Sequence, residues 1–220
     1  MNHNDPVLIQ VPEILATDHL LLMAPQTVDG DGVLLNFTVN ASLEHLRPWM
    51  PWAQERPTVE QSEAIVRRMK AQFLTREHLA YFLYERDADG LRGSLIGGAG
   101  LVRLDWLLRR FEIGYWLAPT ATGRGLASQA VQALSRLAFG ALRARRVEIR
   151  TDARNHASRA VALRCGFQLE GVLRNDALGV DGLPTDTCIF GLIDVADLRD
   201  PSADRMAAAE SAAAGLKSSG

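Results

Sequence analysis

The sequence predicts an α/β fold of the α+β kind, in which a mixed, mostly antiparallel central sheet is flanked by helices. Two observations lead to this prediction. In the middle of the chain, three strand-like segments follow one another through short connections, which join antiparallel neighbours. Further along, a strand, a helix and a strand occur in turn, and such a crossover pairs its two strands in parallel.

One folded domain is expected over residues 17–198 of the 220-residue chain. Residues 1–16 are polar or carry proline, and they are interpreted as an N-terminal extension, because Leu20–Ala24 is the first plausible strand. Residues 199–220 are rich in alanine and serine and offer little to bury. This last segment is therefore expected to be a flexible tail.

A helix and three strands are predicted in the middle of the chain. Thr58 and Gln61 match a helix capping box, and apolar residues then recur at three- and four-residue spacing, which predicts a helix over Val59–Arg76. The predicted strands are Leu79–Arg86, Ser94–Leu104 and Arg109–Leu117. Asp87–Gly90 and the region of Asp105 supply the short connections between them.

The second half of the domain alternates helices and strands. The predicted elements are a helix over Ala127–Ala138, a strand over Val147–Thr151, a helix over Ala157–Cys165, and strands over Phe167–Val172 and Thr187–Ile193. Gly166 is typical of a helix C-terminus, and Asp181–Gly182 is typical of a hairpin turn. The sheet is therefore expected to contain both parallel and antiparallel pairs.

Composition and charge exclude several classes of partner. The net charge of −2 lacks the positive excess that binding to nucleic-acid phosphates or anionic lipid requires. The N-terminus shows no basic leader or apolar signal segment, and no apolar stretch is long enough to cross a membrane, so a cytoplasmic protein is expected. Cys165 and Cys188 are expected to be reduced thiols. The five histidines have no spacing typical of a zinc site, so no metal is expected.

The segment Leu117–Ala127 carries the strongest local signal, because Gly123 and Gly125 lie between a strand and a helix N-terminus. Glycines there allow backbone N–H groups and the helix dipole to hold a phosphate. The alternative is a tight turn without a ligand. The segment does not match a Rossmann fingerprint, because Ser128 occupies the position of the third glycine and several antiparallel strands precede the loop. It does not match a Walker loop either, because it contains no lysine.

Four segments, in this order, resemble the GNAT N-acetyltransferase superfamily and, within it, the RimJ/RimL-like branch. They are Leu46–Trp52, Phe111–Leu117, Thr122–Ala127, and Asn155–Ser158 followed by Leu163–Phe167. The third segment is similar to the family's pyrophosphate loop, whose pattern is (Arg/Gln)-x-x-Gly-x-(Gly/Ala). Gly125 and Ala127 match this pattern, whereas Thr122 departs from it at the first position. The resemblance extends over residues 17–193.

This resemblance implies acetyl-CoA as the cosubstrate and a parallel strand pair that splays apart to hold it. The pantetheine arm is expected between these strands, against the backbone of Tyr115, Trp116 and Leu117, where one amide would serve the thioester oxygen. The pyrophosphate is expected on the loop formed by Thr122, Gly123, Arg124, Gly125, Leu126 and Ala127. Asn155 is expected to hydrogen-bond the cofactor arm, and its ordinary alternative role is a helix N-cap.

The resemblance also implies catalytic and acceptor-binding residues. Ser158 corresponds to the RimL-type serine proposed to protonate the departing CoA thiolate, with a helix-capping serine as the alternative. Glu112 is the leading candidate base, because GNAT enzymes often place an acid on this strand; the alternative is a solvated carboxylate on the face opposite its apolar neighbours. Trp49 and Trp52 are expected to line the acceptor site or to plug the end of the sheet.

The implied activity is acetyl-CoA-dependent N-acetylation of a primary amine by direct attack in a ternary complex. The favoured acceptor is the α-amino group of a protein or peptide N-terminus. The alternatives are a small-molecule amine, such as an amino acid, polyamine, antibiotic or amino sugar, and a non-catalytic acyl-CoA-binding module. An edge strand of the predicted sheet would also allow a homodimer.

Overall fold

A computed structural model describes residues 8–27 and 30–199. Its strands are β1 (Ile14–Ala16), β2 (Leu20–Met23), β3 (Leu79–Arg86), β4 (Arg92–Asp105), β5 (Arg110–Leu117), β6 (Arg146–Asp152), β7 (Gln168–Leu178) and β8 (Pro184–Leu192). Its α-helices are α1 (Asp31–Leu46), α2 (Val59–Thr75), α3 (Leu126–Phe139) and α4 (His156–Arg164). A short 3-10 turn at Pro51–Ala53 lies between α1 and α2.

The eight strands form one sheet in the order β1-β2-β3-β4-β5-β6-β8-β7. Neighbouring strands are antiparallel, except for β5 and β6, which are parallel and are joined through α3. The predicted mixed, mostly antiparallel sheet with one crossover is therefore confirmed. The last two strands form the predicted hairpin, in which the Gly179 N–H donates to the Leu183 carbonyl at 2.8 Å.

Helices cover both faces of the sheet. Helices α1 and α2 pack on the face that buries Phe82, Tyr84 and Leu95. Helices α3 and α4 pack on the opposite face, which buries Phe111 and Ile113 in the larger of the two apolar clusters. Because side chains alternate along a strand, neighbouring residues of β5 face different helix layers.

The sheet begins earlier than the expected domain boundary at residue 17. Ile14 to Ala16 pair with Met23 to Leu21 of β2, because a tight turn closed by the Thr17 N–H and the Leu20 carbonyl reverses the chain. Residues before β1 also pack on the fold, where the Tyr81 hydroxyl donates to the Pro12 carbonyl at 2.7 Å. The expected tail at 199–220 lies outside the described residues, apart from Arg199.

None of the helices described in the structure is sufficiently long and apolar to traverse a lipid bilayer.

Candidate active site

The parallel strands β5 and β6 pair at one end only. Their register joins Arg110 to Arg146 and continues to Glu112 and Glu148, where the pairing stops. Strand β5 continues to Leu117 and β6 to Asp152 without further pairing between them. The sheet therefore opens into a V-shaped gap, as the predicted splayed pair requires.

The edge of β5 that faces this gap carries free backbone groups. The Ala118 N–H donates to the Ile96 carbonyl of the β4 side at 2.7 Å, and antiparallel pairing then alternates along the strand. Trp116 consequently directs its N–H and C=O toward β4, whereas Tyr115 and Leu117 direct theirs into the gap. These two residues offer the hydrogen-bonding edge that an extended ligand can pair with.

The glycine loop leads from β5 into α3 and presents backbone N–H groups. Gly123 and Gly125 have φ angles of 73° and 80°, which favour glycine, and Gly125 caps α3 without a side-chain hydrogen bond. The first helical bond runs from Gln129 N–H to the Gly125 carbonyl, so the N–H groups of Leu126 and Ala127 have no acceptor within the helix. This arrangement suits an anion such as a phosphate.

Two side chains of the loop have partners within the protein. The Thr122 hydroxyl donates to the Pro119 carbonyl at 2.8 Å, so it closes its own turn. The Arg124 guanidinium forms an ion pair with Glu85 at 2.6 Å. The loop therefore offers mainly backbone donors toward the gap, and Glu85 engages only one nitrogen, Nη1, of the Arg124 guanidinium.

Helix α4 begins beside the gap and is capped by Asn155. The Asn155 Oδ1 accepts a hydrogen bond from the Ser158 N–H at 3.0 Å, which leaves the Asn155 amide nitrogen for another acceptor. Because Asn155 performs the capping, the Ser158 hydroxyl is not the cap and instead lies 2.9 Å from the Tyr115 hydroxyl. Burial raises the pKa of Tyr115 to about 12, so this phenol is neutral at pH 7.

A single cavity of about 1440 Å³ connects the gap, the glycine loop and the loop between α1 and α2. The predicted site residues that line it are Trp49, Trp52, Tyr115, Trp116, Leu117, Thr122, Gly123, Gly125, Leu126, Ala127, Asn155 and Ser158. Glu112 and Arg124 are not among its lining residues. The structure therefore brings together most of the residues that the sequence singled out.

The end of the cavity nearest α1 and α2 is aromatic. The rings of Trp52 and Trp116 meet edge to face, with centroids 5.8 Å apart, and both Trp49 and Trp52 are partly exposed. Below these rings the cavity is lined by Gly98, Gly100 and Gly114, so the strands there carry no side chains on this face of the sheet. A Cβ atom on Gly98 would lie 2.8 Å from Trp116 Nε1, so glycine allows this indole to lie against β4.

Glu112 lies at the vertex of the V, where pairing between β5 and β6 ends. Its carboxylate is mostly buried and accepts a hydrogen bond from Arg103 Nη1 at 3.0 Å. Burial raises the pKa of Glu112, and the nearby Arg103 opposes that rise. In residues 8–27 and 30–199, no three His, Cys, Asp or Glu side chains are grouped as metal ligands would be.

An opened parallel strand pair beside a glycine loop at a helix N-terminus is the arrangement that the sequence resemblance implied for an N-acetyltransferase. Residues 19–168 match the family described as the acetyltransferase (GNAT) domain, and the chain belongs to that family. It is therefore an acetyltransferase, and the predicted recognition and enzyme class are confirmed.

Two curated proteins are more than 40% identical to part of the chain. YdaF of Bacillus subtilis (strain 168) is 41% identical over 101 residues, which are 46% of this chain and 55% of YdaF. The ribosomal-protein-serine acetyltransferase of Escherichia coli (strain K12) is 42% identical over 81 residues, which are 37% of this chain and 45% of that protein. The chain thus spans about half the length of each of these relatives.

A solved structure extends the similarity over most of the fold. Mycobacterium smegmatis RimJ, in complex with CoA-disulfide, is 26% identical with a TM-score of 0.72, covering 87% of this chain and 89% of that one. The RimJ/RimL-like resemblance seen in the sequence is thereby confirmed.

Proposed function

We propose that this acetyltransferase uses acetyl-CoA to acetylate the α-amino group of a protein or peptide N-terminus. The observation that carries the proposal is the single cavity that joins the free edge at Tyr115 and Leu117 to the aromatic opening at Trp49 and Trp52. A cofactor and an acceptor can meet there from opposite ends. The name of the Escherichia coli relative supports a protein acceptor.

The residues around the gap fit acetyl-CoA, which supplies the activated acetyl group. The N–H groups of Gly125, Leu126 and Ala127 would hold the pyrophosphate at the start of α3. The backbone of Tyr115 and Leu117 would pair with the amides of the pantetheine arm. The binding of CoA-disulfide by Mycobacterium smegmatis RimJ supports this assignment.

Two linked hydroxyls suit protonation of the departing sulfur. Ser158 lines the cavity, and its Oγ lies 2.9 Å from the Tyr115 hydroxyl oxygen. A tyrosine phenol is protonated at neutral pH, and burial raises the pKa of Tyr115 further, to about 12, so the pair holds a proton that Ser158 can pass to the thiolate. A backbone N–H on the free edge of β5 would stabilise the negative charge that develops on the thioester oxygen.

The acceptor end suits an amine attached to a larger group. Trp49 and Trp52 line the cavity and remain partly exposed, so a chain that extends out of the opening can contact both rings. Glu112, the base expected from the sequence, could act only through water, because its carboxylate lies at the vertex of the gap and outside the cavity lining. A small-molecule amine is the alternative acceptor.

The experiment is a CoA-release assay with a panel of amines. The panel contains peptides with free N-termini, the same peptides with acetylated N-termini, spermidine and single amino acids, and mass spectrometry locates the added acetyl group. Turnover of free peptides, with the blocked peptides inactive, is expected. Turnover of only the small amines would favour the alternative acceptor, and CoA binding without any turnover would favour a non-catalytic module.

A further inference from the structure

His78 lines the cavity, although the sequence analysis assigned it no role. It directly precedes β3, and its ring extends over Gly100 of β4, so that a Cβ atom built on Gly100 would lie 3.2 Å from His78 Nε2. His78 is a lining residue of the same cavity as Ser158 and Trp52. The imidazole therefore reaches the bare part of the sheet below the aromatic opening.

The His78 ring makes no hydrogen bond or ion pair with another residue in the described part of the chain. Only its backbone N–H is engaged, as a donor to the Gln72 carbonyl at 3.3 Å. The side chain is half-buried. Burial lowers the pKa of His78, so the imidazole is neutral at pH 7 and has a nitrogen lone pair available.

Strand register places this imidazole next to the reaction edge. Gly100 lies directly opposite Gly114 of β5, so the two glycines share the face that the His78 ring covers. Adjacent strands are about 4.8 Å apart, and neither glycine places a Cβ atom on this face of the sheet. Gly114 is followed by Tyr115, whose backbone faces the gap. An amine entering beneath Trp52 therefore comes between His78 and the edge of β5.

We propose that the His78 imidazole is the group that accepts the proton of the acceptor amine, an inference that rests on the proposed function. The neutral amine nitrogen forms the N–C bond with its lone pair, the C–S bond breaks, and its electron pair leaves on sulfur. The proton lost by nitrogen passes to His78 Nε2. The sulfur receives its proton from the pair formed by Ser158 and Tyr115.

Other titratable and charged groups lie near the same space. Those lining the cavity with His78 are His45, Glu55, Arg68, Tyr81, Tyr115, Arg150, Asp152, Arg164 and Arg199. Glu112, which lies opposite Val102 in the sheet, and its partner Arg103 are outside the lining. Burial is the cause of the lowered pKa of His78, and no charged neighbour contributes to it. Glu112 differs from His78, because its carboxylate is held by Arg103.

The test compares the pH profiles of kcat/KM for the wild type, His78→Gln and Glu112→Gln, with a peptide acceptor. The wild-type profile should fall on its acid side with a slope of about 2, because the amine and the imidazole must both be neutral. His78→Gln should lower kcat/KM by about 10²–10⁴-fold and reduce that slope to about 1, with unchanged affinity for acetyl-CoA. The control is His19→Gln, because this exposed histidine uses only backbone groups in its contacts.

A purely structural role for His78 is separated by rescue. Added imidazole should restore part of the turnover of His78→Ala, while thermal unfolding checks that this variant is folded. Three results would each overturn the proposal. The first is a His78→Gln variant with the wild-type kcat/KM and the wild-type slope of the pH profile. The others are loss of the acid limb in Glu112→Gln alone, and a folded His78→Ala variant that imidazole does not rescue. Failure of the proposed function looks different, since the wild type itself would then release no CoA with any amine.

Discussion

The Tyr115 hydroxyl oxygen lies 2.9 Å from Ser158 Oγ and thereby joins β5 to the first turn of α4 across the gap in the sheet. The Ser158 carbonyl oxygen lies 3.3 Å from the same phenol, so the single Tyr115 proton can be donated to either Ser158 oxygen. The two residues are 43 positions apart in the sequence. Their contact therefore connects the face of β5 that packs on α4 with the path proposed for the departing sulfur.

Replacing Ser158 by alanine should lower turnover and leave the affinity for acetyl-CoA near that of the wild type. Loss of general acid assistance typically costs about 10²–10⁴-fold in rate, whereas one lost hydrogen bond costs only about 1 kcal/mol of stability. Turnover, acetyl-CoA affinity and thermal unfolding are measured on one preparation of Ser158→Ala. Full activity in a less stable protein would reject the catalytic role.

Replacing Tyr115 by phenylalanine should lower turnover by a similar factor, because it removes the hydroxyl that supplies Ser158. Residues that act as a unit have non-additive effects, so Ser158→Ala in the Tyr115→Phe background should cause little further loss. Initial rates of the four proteins at saturating acetyl-CoA test this coupling. Multiplicative losses in the double variant would show that the two hydroxyls act independently.

Replacing Gly125 by valine should abolish acetyl-CoA binding. A β-branched residue is strained at a φ of 80°, and the rearranged loop would lose its alignment of N–H groups. Gly182→Val is a matched control, because Gly182 has a φ of 75° in the hairpin turn and does not line the cavity. Calorimetry should show loss of saturable heat for Gly125→Val only. Equal affinities in both variants would move the phosphate site elsewhere.

Two substitutions at Asn155 should separate its cap from its contact with the ligand. Asn155→Asp keeps the side-chain oxygen that accepts from Ser158 N–H but removes the amide donor, so acetyl-CoA affinity should fall while stability is retained. Asn155→Ala should lose affinity and also about 1 kcal/mol of stability. Binding calorimetry and urea unfolding test both variants. Unchanged affinity in both would leave Asn155 as a helix cap only.

Asp152 at the end of β6 should give the protein an acid-sensitive contribution to stability. Hydrogen bonds from Arg154 chiefly, and from the Thr185 hydroxyl, lower the pKa of Asp152 to about 2. Because this pKa is below the unfolded value of about 3.9, the stabilisation is present above that value and is lost as pH falls toward 2. The difference in urea midpoint between wild type and Asp152→Asn should shrink from pH 6 to pH 3. A constant difference would contradict this account.

Local signals in the sequence predict some elements well. The capping box of α2 is an example, since Gln61 N–H donates to the Thr58 hydroxyl oxygen at 3.2 Å and Thr58 N–H donates to Gln61 Oε1 at 2.8 Å. Helix α1 cannot be predicted in this way, because its own apolar residues lie on all of its faces. Val33 and Phe37 are exposed while Leu35 is buried, so no amphipathic stripe marks its buried face.

Some features of the candidate site can likewise be predicted from local sequence, and others cannot. The loop at Gly123 and Gly125 can be found in the sequence, because a turn between a strand and a helix is a local feature. The link between Tyr115 and Ser158 and the position of His78 over Gly100 depend on strand register and on the placement of α4. Such long-range relationships leave no pattern in a single sequence.

The short pairing between β5 and β6 also has a mechanical consequence. Among the described strands, pairing between the group of five and the group of three is confined to the stretch from Arg110 to Glu112 of β5. Beyond Glu112 no backbone pairing joins these two groups of strands, and the Tyr115–Ser158 contact is a side-chain link between β5 and α4. A ligand that hydrogen-bonds to the backbone of Tyr115 and Leu117 would add links along this edge, so binding of the proposed acetyl-CoA would also stiffen the sheet that holds it.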